Sequence, residues 1–452
     1  MFRVPATSAF SLAKCPQYKP SIARSLTTIR SAAVTSRNHK IVVIGAGSAG
    51  LNISHQLLRS GKFKPNDIAI VDPAKWHHYQ PGWTLVGAGL KTKEELRRPM
   101  HSLIASDLKF YNGGVESISP KDNHITLDNS DKILYEQLVV CPGVSINYAS
   151  IKGLPEALAN SDAMVSSIYG YETCDKVFPN IKKFNKGNAL FTQPSGLVKC
   201  AGAPQKIMWL ALDHWKKAGS YKAYDPQSPI QISFATALPT MFGVPKYSKR
   251  LEKLREERGV EGLFQHDLTA IEGNTATFTR LETNDQIQKH FDFLHVVPKM
   301  GPHEFLKNSE LANEAGLVDV DESTTRHKIY PNVWSLGDAS SLPTSKTAAA
   351  ITAQAPVMVN NLLQAMEGKA LTATYDGYTS CPIPTEYGKL MLAEFKYGAE
   401  PKETFGIFGI DQGTPRRAFY HLKKDFFPWV YYKSMVRGTW GGAKGWISPP
   451  KA

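Results

Sequence analysis

The chain has 452 residues, 42% of them hydrophobic, and a formal net charge of +13. That length is too great for one ordinary core, so two or three domains are expected. Gly and Pro are abundant but aperiodic, which excludes solenoid and fibrous architectures and leaves a globular α/β chain.

The charge is unevenly spread. Residues 1–38 carry Arg3, Lys14, Lys19, Arg24, Arg30 and Arg37 with no acid, and the first acidic residue is Asp67. A basic, acid-free leader rich in Ser and Thr has the signature of a mitochondrial transit peptide. It holds no apolar core of the secretory kind. Those six residues account for almost half of the net positive charge, and the remainder stays basic, which suits an anionic membrane surface. Nucleic acid would be the rival partner, but the sequence carries no binding module for it, so none is expected.

Residues 40–45, Lys-Ile-Val-Val-Ile-Gly, form a short β-branched run of the kind found in buried parallel strands. They lead into Gly45-Ala46-Gly47-Ser48-Ala49-Gly50 and then a helical pattern from Leu51 to a stop at Gly61. In such a turn Gly45 permits the bend, Gly47 lets backbone approach a pyrophosphate, and Gly50 lets helix pack on strand. The helix N-terminus then faces the phosphates with free N–H groups. A second strand is expected over Asp67–Asp72, with Asp72 placed to accept ribose hydroxyls. FAD and NAD share this fingerprint. Leu138 to Gly143 reads as the strand and turn where the chain leaves this unit, with Cys141 inside it.

Residues 151–314 read as a second α/β unit with strands at 188–192 and 230–235. Its first strand does not feed a second glycine fingerprint. The text is Gln193-Pro194-Ser195-Gly196-Leu197-Val198-Lys199-Cys200-Ala201-Gly202-Ala203-Pro204, and the second strand ends in Ala235-Thr236 with no acid for a ribose. The unit has the form of a Rossmann domain without its NADH chemistry. Cys200 precedes a helix expected over Pro204–Leu212 and lies close to Lys199 and Lys206, and both features favour a thiolate.

Farther on, the strand at 328–338 ends in Gly337-Asp338, and a long Ala-rich helix is expected over Thr344–Met366, kinked at Pro356. This pattern resembles the second FAD signature of the two-dinucleotide-binding flavoproteins. The resemblance implies that Asp338 holds a ribityl hydroxyl and that the helix N-terminus faces the flavin. Cys381 follows in the Pro-bounded segment Thr379-Ser380-Cys381-Pro382, before a strand expected at 387–396. Cys15 falls in the leader, Cys141 reads as structural, and Cys174 sits in a helical, polar context without evident role. No CxxC pairing points to zinc, so no metal site is expected. The last fifty residues mix Phe405, Phe408, Phe419, Tyr420, Phe426, Phe427, Trp429, Tyr431, Tyr432, Trp440 and Trp446 with Arg416, Arg417, Lys423, Lys424, Lys433, Arg437 and Lys444. No stretch is long enough to span a bilayer. The composition suits a segment lying in the membrane interface.

Four segments then converge. Tyr79-Gln80-Pro81-Gly82-Trp83-Thr84-Leu85-Val86-Gly87-Ala88-Gly89, the Lys199-to-Pro204 loop, Leu342-Pro343-Thr344-Ser345-Lys346-Thr347 and Tyr378-Thr379-Ser380-Cys381-Pro382 resemble the eukaryotic mitochondrial sulfide:quinone oxidoreductase family from about residue 39 to the C-terminus. The resemblance implies an α/β fold of two Rossmann-like domains. An FAD-binding domain would comprise 39–150 and 315–372, a degenerate second domain 151–314, and a membrane-associating C-terminal region 373–452. It implies FAD held by Gly45, Ala46, Gly47, Ser48, Ala49, Gly50, Asp72, Gln80, Val115, Gly337, Asp338 and Lys346, with Cys200 and Cys381 as a redox pair. Hydrogen sulfide would leave a persulfide on Cys381 and free Cys200 as the thiolate that engages the flavin. Glutathione, sulfite or another thiol would remove the sulfur, and ubiquinone at the matrix side of the inner membrane would take the electrons. A type II NADH:quinone oxidoreductase would need the missing second glycine loop. A catalytically inactive flavoprotein module would have no use for two such cysteines.

Overall fold

Two parallel sheets dominate the computed structural model, which describes residues 36–442. The leader through residue 35, with Cys15, and the tail with Lys444 and Trp446 lie outside those residues. In the first sheet the parallel strands run Lys109–Tyr111, Ile68–Val71, Ser36–Ile44, Lys132–Val140, with Val333–Ser335 also pairing on the last. An antiparallel pair, His124–Leu127 and Val115–Ser119, extends the sheet. The first strand starts at Ser36, four residues earlier than its apolar run. Ser36–Asn38 pair with Lys132–Leu134, so the end assigned to the leader belongs to the sheet.

The β-branched run explains this placement. Ile41 and Val43 pack with Leu51, Leu57, Met358 and Leu362 on one face, while Val42 and Ile44 pack with Leu138 and Val140 on the other. A strand covered on both faces reads as continuously apolar, and each such side chain stabilises the fold by roughly 1.5–3 kcal/mol. The helix Ser48–Arg59 follows after a three-residue loop.

The second sheet is wholly parallel: Val165–Ser166, Phe293–His295, Gly187–Gln193, Ile230–Thr236, Glu261–Phe264. The helix after its Gly187–Gln193 strand spans Ala203–Lys217, five residues beyond the end expected, because Trp209, Leu212 and Trp215 continue its buried stripe. A three-stranded antiparallel sheet, His266–Glu272, Thr275–Arg280 and Gln286–His290, caps this unit.

Cys381 is on a strand, not a loop. Thr379–Glu386 pairs with Lys389–Lys396 and forms the edge of a small antiparallel sheet. Pro382 and Pro384 are tolerated there because an edge strand has one free side. The Ala-rich helix begins at Ala348 rather than Thr344, since residues before it are drawn into a bridge between Lys346 and Lys199 and Thr347 caps the first turn. Pro356 lies inside this helix.

Cys174 opens a short helical turn, Cys174–Lys176, with polar neighbours, but its own side chain is buried in an apolar cluster, and that burial pushes its thiol up to about 12. The aromatic and basic C-terminal segment is only partly a surface. Phe419, Tyr420, Tyr431 and Lys423 turn inward, while Phe408 and Trp429 stay 69% and 59% exposed. Among the described residues no helix is long and apolar enough to cross a membrane.

Candidate active site

One cavity joins the two loops. Its wall includes Gly47, Ser48 and Ala49 from the first loop, Lys199 and Cys200 from the second, and Gly337, Asp338 and Lys346 from the segment before the Ala348–Met366 helix. Gln80 and Cys141 also wall it, and Cys141, buried beside the carbonyl of Gly45, has its thiol raised by that burial.

The first loop is shaped for a phosphate. Gly45 has φ +97°, the turn conformation that L side chains rarely adopt. A Cβ on Gly50 would lie 1.8 Å from the Gly45 carbonyl oxygen, so only glycine fits where helix meets strand. A Cβ on Gly47 would meet nothing within 4 Å, because that residue opens onto the cavity. The helix beginning at Ser48 has no side-chain cap and no acid in its first turn, so its N–H groups stay available to an anion. The Trp83 indole N–H, also on the cavity wall, has no partner among the described residues. The open glycine, free helix N-terminus and orphan donor fit a dinucleotide cofactor.

Asp72 fastens the glycine loop. One carboxylate oxygen accepts from the Ala46 amide at 2.7 Å and the other from the Ala74 amide at 2.7 Å, which pins the glycine loop. Burial raises its carboxyl against those bonds. Asp72 and Val115 are not among the residues that wall the cavity; Val115 packs against the apolar cluster on the far face of the first sheet. Asp338 is half-buried between two amines. Burial raises its carboxyl, and Lys199 and Lys346 oppose that rise. Lys346 donates to the carbonyls of Ser340 and Leu342, and burial brings its amine down to about 8.

The cysteines meet. The Cys200 and Cys381 sulfurs are 3.5 Å apart, although 180 residues separate them in sequence. Cys200 takes φ +54°, and its amide donates to the Lys346 carbonyl at 2.8 Å. The strain of a left-handed non-glycine residue is held by this bond and by the Ala203 amide, which donates to the Cys200 carbonyl. A Cβ on Gly202 would stand 2.5 Å from the Cys381 sulfur, so that glycine lets the helix start close beneath the pair. Cys381 is only 1% exposed and does not wall the cavity, whereas Cys200 does.

Lys206, 2% exposed on the first turn of the Ala203–Lys217 helix, donates to the Cys200 sulfur at 3.0 Å. The hydrogen bond with Cys381 and then the Lys206 charge hold the Cys200 thiol well below its ordinary value, against burial. The same contact and burial push Cys381 well above. Lys199 takes no part in this, because its amine turns to the Gln80 side-chain oxygen at 3.0 Å. Its place is taken by Lys423, which sequence composition assigned to the membrane face. Lys423 is 4% exposed, lines the cavity, donates to the Pro81 carbonyl, and is brought down to about 7 by burial and by Lys206. Only its spacing within a helical turn of buried Phe419 and Tyr420 hinted at an inward side chain.

Tyr431 was likewise unexpected here. Its hydroxyl bonds Ser48 at 2.6 Å and His77 at 2.7 Å, and His77 meets the Ala46 carbonyl, so the C-terminal segment closes over the glycine loop.

The description "pyridine nucleotide-disulphide oxidoreductase" covers residues 39–180 by family-model match. The mitochondrial sulfide:quinone oxidoreductase of Schizosaccharomyces pombe is 47% identical over 435 residues, spanning 92% of this chain and 94% of that protein. The chain belongs to the mitochondrial sulfide:quinone oxidoreductase family. A Mus musculus protein named for the same family is 39% identical, covering 91% of this chain and 89% of its own length. The fold is shared with the solved sulfide:quinone oxidoreductase of Aquifex aeolicus, with a TM-score of 0.71 at 17% identity over 87% of this chain and 92% of that one.

Proposed function

We propose that the chain oxidises hydrogen sulfide through Cys200 and Cys381, passes two electrons by way of FAD to ubiquinone, and hands the sulfur to a small thiol or sulfite. The observation that carries this reading is the 3.5 Å contact of the two sulfurs, with Lys206 on Cys200, the member of the pair that walls the same cavity as the glycine loop. Membership in the family supports it independently.

The residues divide the work. In the sulfur-bridged pair, sulfide forms a bond to the Cys381 sulfur and the bond toward Cys200 breaks. Cys200 leaves as thiolate, the form that Lys206 and Cys381 favour. The sulfur left on Cys381 goes to the attacking acceptor, whose new S–S bond replaces the persulfide bond. Reclosing the bridge between the two thiolates then releases two electrons. FAD, when bound, would supply the acceptor for that electron pair. Gly47 and the Ser48–Arg59 helix N-terminus would hold its pyrophosphate, and Asp338, Lys346 and the Ala348–Met366 helix N-terminus its flavin end. Lys206 presents positive charge beside the Cys200 sulfur where the anionic sulfide arrives, and Lys423 adds to it at a pH below its value of about 7.

The chain would work at the matrix side of the mitochondrial inner membrane, and the exposed Phe408 and Trp429 support attachment to a membrane surface. Anaerobic mixing tests the function directly. Sulfide is expected to bleach the flavin within the dead time of a turnover, while NADH leaves it oxidised. Bleaching by NADH but not by sulfide would sink the reading.

A further inference from the structure

The cavity also reaches the other face of the Thr379–Glu386 strand. Side chains alternate along a strand. Cys381 points toward the Ala203–Lys217 helix, and Ser380 and Pro382 point into the cavity. The register pairs Ser380 with Glu394, which brings the Glu394 carboxylate to the same wall, beside Tyr378.

These two residues form a built polar corner. The Tyr378 hydroxyl lies 2.6 Å from one Glu394 oxygen. The other oxygen accepts from the Thr404 amide at 2.6 Å and the Gln412 side chain at 2.8 Å. Glu394 is 5% exposed, and its partners are all neutral donors, so its charge is not cancelled by a contacting cation. Such a carboxylate is costly to bury, and the three donors that satisfy it fix its position against the Tyr378 hydroxyl. Burial and the adjoining carboxylate keep the Tyr378 phenol well above its ordinary value. Phe427 and Trp440 supply apolar wall elsewhere on the same cavity, so the cavity as a whole suits an aromatic ring carrying a carbonyl.

We propose that Tyr378 is the proton donor to the quinone acceptor and that Glu394 is the positioning residue that restores its proton. The inference rests on the quinone reduction proposed above. A quinone takes up two electrons and two protons to become a quinol. The bound cofactor would supply the two electrons and one of the protons. The second proton comes from Tyr378: its O–H bond breaks as a new O–H bond forms on the quinone oxygen. Glu394, with an oxygen 2.6 Å from that hydroxyl, relays a proton from water to the phenolate oxygen, so the tyrosine is restored once the quinol leaves.

Sequential mixing tests this in the full-length flavoprotein. Wild type, Tyr378→Phe, Glu394→Gln and Glu394→Asp are first reduced with sulfide, then mixed with a short-chain ubiquinone or with ferricyanide, which takes electrons without protons. Tyr378→Phe and Glu394→Gln are expected to be reoxidised by the quinone on the order of 10²-fold more slowly. Their reoxidation by ferricyanide stays within about twofold of wild type, and Glu394→Asp recovers most of the quinone rate. Quinone reoxidation of Tyr378→Phe at the wild-type rate would overturn the proposal, as would an equal loss with ferricyanide. If wild type fails at the first mixing step, the proposed sulfide oxidation is at fault rather than the proton donor.

Discussion

The two strand–loop–helix turns occupy the same place in their respective sheets and have been put to different uses. Between the Ser36–Ile44 strand and the Ser48–Arg59 helix the chain spends three residues; between Gly187–Gln193 and Ala203–Lys217 it spends nine. In the first turn, Asp72 fastens Ala46 from behind and leaves Gly47 open to the cavity. In the second, the buried Asp267 carboxylate accepts from the Ser195 amide at 3.2 Å and its hydroxyl at 2.6 Å, and Lys299 pairs with it at 2.8 Å. A carboxylate of the protein thus occupies the loop donors that a phosphate would use. The extra residues carry Cys200 to the helix N-terminus, where the positive end of the dipole favours a thiolate as it favours a phosphate elsewhere. One frame is shaped to receive an anion from outside, and the other stabilises an anion of its own.

That contrast can be broken at several points. The largest effect is expected at the thiols. Cys200→Ser and Cys381→Ser should each slow flavin bleaching by sulfide by about 10³-fold or more in stopped flow, with flavin content intact. A loss confined to one of them would separate sulfur capture from electron transfer. Next comes the glycine loop. Gly50→Ala places a methyl 1.8 Å from a carbonyl oxygen, so the protein should purify largely without flavin and lose about 3 kcal/mol in denaturant titration. Retention of full flavin would show that the loop is not the cofactor's seat.

Lys206→Met sharpens the electrostatic half of the comparison. With the amine gone the Cys200 thiol rises, so bleaching at pH 7 should fall about tenfold to 100-fold and recover as pH increases. A uniform loss at every pH would point to packing instead. The smallest effect concerns Lys423. Its folded value near 7 lies below the unfolded value of about 10.4, so the unfolded chain binds more protons between those limits and stability rises with pH across that window. The penalty is fully present below pH 7. Lys423→Met should therefore stabilise by on the order of 2 kcal/mol at pH 6 and by much less at pH 10, read as a shift in Tm.

The legible parts of the sequence were local ones. Gly45-to-Gly50 between an apolar strand and a helix fixes the first turn because backbone sterics demand glycine there. The missing second fingerprint announced a different use for residues 193–202. Resemblance singled out Cys381, but its neighbours Pro382 and Pro384 argued for a loop, and only its edge position in the sheet makes a strand possible. Lys199 and Lys206 looked equivalent beside Cys200. A helical turn brings the second to the sulfur while a bridge with Lys346 turns the first away. Lys423, Tyr431 and Glu394 act across 190 residues or more of separation from Cys200, or through a register that composition does not encode. The tail's composition concealed them, since an inward lysine and an interfacial one look alike.

The central claim is that Cys200, not Cys381, is the stabilised thiolate beside the flavin. Long-wavelength charge-transfer absorbance of the oxidised flavoprotein, followed against pH in the two serine variants, tests it most directly. Cys381→Ser should keep the band at neutral pH and Cys200→Ser should have none. A band in Cys200→Ser, or none in either variant, would contradict the account.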